Sequence, residues 1–101
     1  MIQDIKTRQE FDSRLHDALD MFAKLVQDNP GDKTIFAVHR QLEAIEGWTA
    51  GGKNMTEDEK QRIVMGLQAS RELMDFVDEA DLVKSLHNFI LLKMPTARAT
   101  P

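Results

Sequence analysis

IFAVHRQLEAIEGWT, residues 35–49, is the stretch whose reading decides the fold. Wound at about 100° per residue, it places Ile35, Val38, Leu42, Ile45 and Thr49 in one narrow stripe. Ala37, Gln41, Ala44 and Trp48 fall on a second sector roughly 100° away. The first stripe is a core face, and the second offers small residues and one aromatic to another neighbour. A helix contacted from two sides belongs in the middle of a bundle.

Outward from this segment, the helix signals repeat. On the N-terminal side, Thr7-Arg8-Gln9-Glu10 has the form of a capping box, in which hydroxyl and carboxylate satisfy orphan amides of a first turn. Phe11, Leu15, Ala18, Leu19, Phe22 and Val26 then make one apolar stripe, with Glu10, Ser13, Asp17, Asp20 and Lys24 facing water. Asp28-Asn29-Pro30-Gly31 stops that helix, because Pro lacks an amide donor and biases its predecessor away from helical angles. Asp32 is placed to cap the central helix.

On the C-terminal side, Gly51 and Gly52 allow the left-handed turn that closes a helix. Thr56-Glu57-Asp58-Glu59 is a second capping box, with carboxylates where the helix dipole favours them. The spacing predicts a third helix whose main face is Lys60, Ile63, Val64, Leu67, Ser70 and Met74, with Gly66, Leu73 and Val77 beside it. Gly66 would permit close approach of a neighbouring backbone. A fourth helix, starting at Asp78 or its neighbour, points Leu82, Val83, Leu86, Phe89 and Ile90 one way and ends at Lys93 and Pro95. Leu91 and Leu92 lie on its flanks, calling for wider burial or an apolar patch for a partner. The expected fold is all-α, a small antiparallel bundle of about four helices. Residues 1–94 form its one domain, and residues 95–101 are expected to be a flexible tail.

Composition narrows the function. There is no cysteine, so neither a disulfide framework nor a thiolate metal site nor a thiol nucleophile is available. No apolar run approaches the ~20 residues of a membrane span, and MIQDIKTRQEF lacks the layout of a secretory signal. A cytoplasmic protein is expected. The net charge of −4 opposes nucleic-acid phosphates unless bases gather on one face, and they are spread along the chain. The local excess is acidic: Glu57, Asp58 and Glu59, then Glu72, Asp75, Asp78, Glu79 and Asp81, with no Lys or Arg between Glu72 and Val83. Such a run is either a solvated face or a surface for a basic partner.

The usual chemical constellations are missing. Residues 47–53, GWTAGGK, fit G-x-x-x-x-G-K, but Asn54 stands where a Ser or Thr should hold Mg²⁺, and a helix rather than a strand precedes it. The reading is a helix stop and a loop. His16, His39 and His87 lie on three different helices, and none has a carboxylate three residues earlier, as a di-iron bundle needs. His39 and Glu43 suit a surface contact. Ser13, Ser70 and Ser85 sit in ordinary helical segments without a strained turn, and Glu43 and Glu46 are expected to face solvent rather than act as acid and base. No catalytic residue, metal or cofactor is assigned.

Arg40-Gln41-Leu42 with Ile45, Met65-Gly66 with Ala69, Arg71-Glu72, and the acidic break before Leu82 and Leu86 carry a family resemblance. Over residues 11–90 the chain resembles the small all-helical immunity proteins that neutralise NAD(P)⁺-hydrolysing toxins of bacterial type VI secretion systems. It departs from them in its longer Gly-Gly-Lys-Asn loop and in the residues after Pro95. The resemblance implies a cytoplasmic inhibitor that binds a cognate toxin domain and blocks its substrate pocket. The residues expected to meet the toxin are Phe36, Arg40, Glu43, Trp48, Glu72, Asp75, Phe76 and Asp78. Trp48 and Phe76 have core packing as their alternative, and Phe36 projects away from the main stripe. The competing function is a non-catalytic adaptor or a homodimer joined through Leu91 and Leu92 of the fourth helix.

Overall fold

The computed structural model describes residues 4–98. The order is α1 (Arg8–Asp28), α2 (Lys33–Thr49), a 3-10 turn (Ala50–Gly52), α3 (Glu57–Gln61), α4 (Met65–Glu72) and α5 (Val77–Leu92). α1 packs on α2 and α5, and α4 packs on α5 and α2, so the four longer helices close a ring around one core. The expected helical bundle is the observed architecture. No strand occurs among the described residues.

Each boundary has a local cause. The Thr7 hydroxyl accepts from Glu10 N–H at 3.1 Å and starts α1, although the Glu10 carboxylate reaches Lys6 N–H instead of closing the box. Phe11, Leu15, Ala18 and Phe22 of α1 are buried, and a fully buried side chain of that kind contributes about 1.5–3 kcal/mol. The Phe11 ring stacks on Phe89 of α5 with centroids 4.9 Å apart. Asp32 caps α2 by accepting from Thr34 and Ile35 N–H, and Ile35, Val38, Leu42, Ile45 and Thr49 are the five buried residues of that helix. Gly51 and Gly52 close it at φ of 73° and 83°.

The predicted third helix is the main correction. Thr56 and Glu59 form a complete capping box, but the chain leaves helical geometry around Ile63 and Val64 and starts again at Met65. Ile63 and Met65 are both buried. Two residues apart, they would point about 200° apart on one continuous helix, and the break lets both enter the core. The phase then shifts: Met65, Ala69 and Leu73 are inside, while Val64, Leu67, Met74 and Val77 are exposed. The close neighbour at Gly66 is likewise a side chain, that of His87, rather than a backbone.

One end of the bundle is tied by long cations. The Arg8 guanidinium donates to the Thr49 and Lys53 carbonyls and to Asn54 Oδ1 at 2.9–3.1 Å, satisfying carbonyls where α2 stops. Lys93 reaches Asp4 Oδ1 and the Ile5 carbonyl. Buried Lys60 donates to the Met94 carbonyl at 2.6 Å and to Thr96 Oγ1 at 2.9 Å, and Ala97 N–H donates to the Met55 carbonyl. Of the tail expected over residues 95–101, Thr96 is tied to Lys60 of α3 and Ala97 to Met55 just before that helix. Residues 99–101 of that tail lie outside the described residues. Leu91 and Leu92 are exposed, so wider burial of α5 is not how they are accommodated.

Candidate functional site

α2 and α4 run antiparallel: Gln41 meets Gln68 and Val64, while Thr34, a turn or two earlier, donates its hydroxyl to the Glu72 carboxylate. That pairing places the C-terminus of α4, the turn at residues 73–76 and the first turn of α5 beside the start of α2. The cation-tied end lies opposite. The sequence-predicted residues divide between this corner, the outer stripe of α2 and the interior.

At the corner stand Glu72, Asp75 and Asp78, all exposed. Their charges differ in local purpose. Asp78 and Glu79 occupy the first turn of α5, which has no side-chain cap at Phe76, so their charge stabilises the helix dipole. Glu72 is the last residue of α4, the negative end of a dipole, where a carboxylate disfavours the helix by about 0.3–1 kcal/mol. Its local role is instead to accept from the Thr34 hydroxyl, which ties the end of α4 to the start of α2. Between these carboxylates Met74 is 76% and Val77 59% exposed. The corner thus joins apolar side chains to three acids.

The spacing of α2 puts Phe36, Arg40 and Glu43 on one outward stripe. Phe36 is 51% exposed, the Arg40 guanidinium lies 5.8 Å from its ring centroid, and Glu43 approaches His39 at 3.6 Å. Residues Pro30, Gly31, Asp32 and Lys33 form a shallow recess against the Phe36 ring. Trp48 stands about 18 Å further along the axis, half-buried and packed against the core. Phe76 is also half-buried against the core, at the turn into α5. The structure therefore brings Glu72, Asp75 and Asp78 together, sets Phe36, Arg40 and Glu43 on a neighbouring face, and turns most of Trp48 and Phe76 inward.

At this corner, Met74 and Val77 are the residues that sequence periodicity misplaced, as it misplaced Val64 just before α4 and Leu67 within it. The available signal was the pair Ile63 and Met65, which one uninterrupted helix cannot bury together. The nucleotide-loop look-alike at residues 47–53 is a helix terminus whose carbonyls face Arg8, with Asp12 and Glu46 lining the adjacent recess. That is an unfavourable setting for phosphate. Among the described residues no group of three or more His, Cys, Asp or Glu is placed to hold a metal ion, and no helix is long and apolar enough to cross a membrane.

The family model Tsi6 matches residues 10–92, from the first turn of α1 to the end of α5. No curated protein and no solved structure matches the chain.

Proposed function

The chain belongs to the Tsi6 family of type VI secretion immunity proteins, and from that premise we propose that it is a cytoplasmic inhibitor of an NAD(P)⁺-hydrolysing toxin domain. It acts by binding, with no reaction of its own. The observation that carries the choice of surface is the corner where exposed Met74 and Val77 sit among Glu72, Asp75 and Asp78. A toxin that takes an anionic dinucleotide needs a basic cleft, and a rigid acidic corner with apolar tips has the complementary charge. Carboxylates steer the encounter, and desolvated apolar side chains hold the complex. Phe36, Arg40 and Glu43 extend this surface along α2, Phe76 supports it chiefly from the core side, and Trp48, about 18 Å further along α2, lies outside it.

The test is reconstitution with the toxin domain encoded beside this protein. A stable complex is expected, together with preserved NAD(P)⁺ in cells producing both proteins and loss of NAD(P)⁺ in cells producing the toxin alone. A complex that forms around a toxin sparing NAD(P)⁺ would leave the immunity role and remove the substrate class. Absence of any complex would remove the proposal.

One observation favours a second reading, in which the protein also pairs with itself: Leu91 and Leu92 are 54% and 79% exposed on α5. Sedimentation of the purified chain and of Leu92→Asp decides it. A dimer lost in the variant would support self-association, and a monomer at all concentrations would end it.

A further inference from the structure

Helix α4 begins without a side-chain cap of its own, since Val64 occupies the capping position. Two of the amides at that terminus are met from other helices. Gln41 Oε1 of α2 accepts from Val64 N–H at 2.9 Å, and His87 Nδ1 of α5 accepts from Gly66 N–H at 2.9 Å. The imidazole lies so close to Gly66 that a Cβ there would overlap the ring, so the contact in this geometry needs glycine at position 66. An imidazole nitrogen accepts a hydrogen bond only while it carries no proton. We infer that the His87–Gly66 contact is a pH-sensitive latch, which holds the first turn of α4 on α5 while His87 is neutral and releases it when Nδ1 is protonated.

The groups that meet the ring at Nδ1 and the charge nearest it oppose the protonated form. Gly66 N–H would face a second N–H, at the positive end of the α4 dipole. Lys84 of α5 is the charged side chain lining the same groove, whose other walls are Leu67 and Ser70 from α4 and Asn88 and Leu91 from α5. Asp81 approaches Lys84 at 3.7 Å, one turn away along α5, and lies outside that lining. Burial pushes the His87 imidazole below its ordinary value of 6.5.

The direction of linkage follows. Above the unfolded value of about 6.5 both folded and unfolded chains hold His87 neutral, and its contribution to stability is fully present. As pH falls below that value the unfolded chain takes up the proton and the folded chain resists, so stability declines until His87 titrates in the folded protein. The paired carboxylate Asp4, held below its usual range by the Lys93 ammonium, changes stability only in a separate, more acidic window, below its ordinary 3.8.

Nuclear magnetic resonance on the full chain tests this. The expected result is an Nε2–H tautomer of His87 at neutral pH, titrating below 6.5. Protection of the Gly66 amide, corrected for intrinsic exchange chemistry, should fall as pH drops from 6.5 toward that titration, by at most about tenfold per pH unit. His87→Asn offers a carbonyl in place of Nδ1 and should abolish the pH dependence. A His87 that titrates at or above 6.5, or Gly66 protection that stays flat from 6.5 down to the wild-type titration, would overturn the latch without need of the variant. The inference stands apart from whichever partner the acidic corner meets.

Discussion

Lys60 shows how much a single side chain organises here. It is 7% exposed, and its ammonium sits on the Met94 carbonyl and the Thr96 hydroxyl just beyond the end of α5. Lys60→Met keeps the packing volume and removes the donors. Loss of a hydrogen bond from a charged group is worth about 1.5–3 kcal/mol, against some relief from no longer burying a cation. The expected net loss is about 1–2 kcal/mol by urea denaturation, accompanied by faster amide exchange at Ala97. Unchanged exchange at Ala97 would mean that Met55 alone holds that segment. Gly66→Ala sets two effects against each other. Alanine gains at most about 1 kcal/mol of helix propensity, whereas overlap with the His87 ring costs about 1–3 kcal/mol and breaks the latch. Net destabilisation is expected. A stabilised variant would show that His87 moves aside freely.

At the scale of the element, α4 is the helix with the least support of its own. It has eight residues, no side-chain cap, and an acid at its C-terminus, so its position depends on Gln41 and His87 at its start and on Thr34 at its end. Gln41→Ala removes the acceptor for Val64 N–H and the donor to Gln68, and should cost about 1 kcal/mol. The effect should be local: amides of α4 exchange faster while the α1 core around Phe11 and Phe22 keeps its protection. Uniform loss of protection through α1 would show that α4 opens only with the whole bundle. The same contrast explains what the sequence disclosed. α1, α2 and α5 were legible because each carries its own stripe and stop signals, as with Thr7, Asp32, Gly51 and Pro95. The broken third helix was not, because periodicity assumes a constant phase and the break at residues 62–64 resets it. Phe36 could be read as outward-facing from local spacing, and Glu72, Asp75 and Asp78 from their charge. Met74 and Val77 could not, since their exposure depends on that reset, and neither could Gly66 with His87, which lie on separate helices.

For the molecule as a whole, the two ends put their long charged side chains to different uses. Arg8, Lys60 and Lys93 are spent on carbonyls and carboxylates at the end where α1 begins and α5 stops. The opposite corner keeps Glu72, Asp75 and Asp78 exposed, beside Met74 and Val77. On the proposed reading these two sets of residues govern different rates. Long-range attraction acts before contact and is screened within about 8–10 Å at physiological salt, so the acids should set association. Apolar tips are desolvated only after contact, so they should set dissociation. Reversing Glu72, Asp75 and Asp78 to Lys should slow association with the toxin domain by about tenfold or more at low salt and flatten its salt dependence. Met74→Ser should leave association nearly unchanged and speed dissociation. Asp78→Lys also removes a charge that favours the start of α5, about 0.3–1 kcal/mol, so thermal unfolding of each variant has to accompany the kinetics. With folding intact, unchanged association in the charge-reversed protein would move the interface away from this corner, toward the Phe36 face of α2.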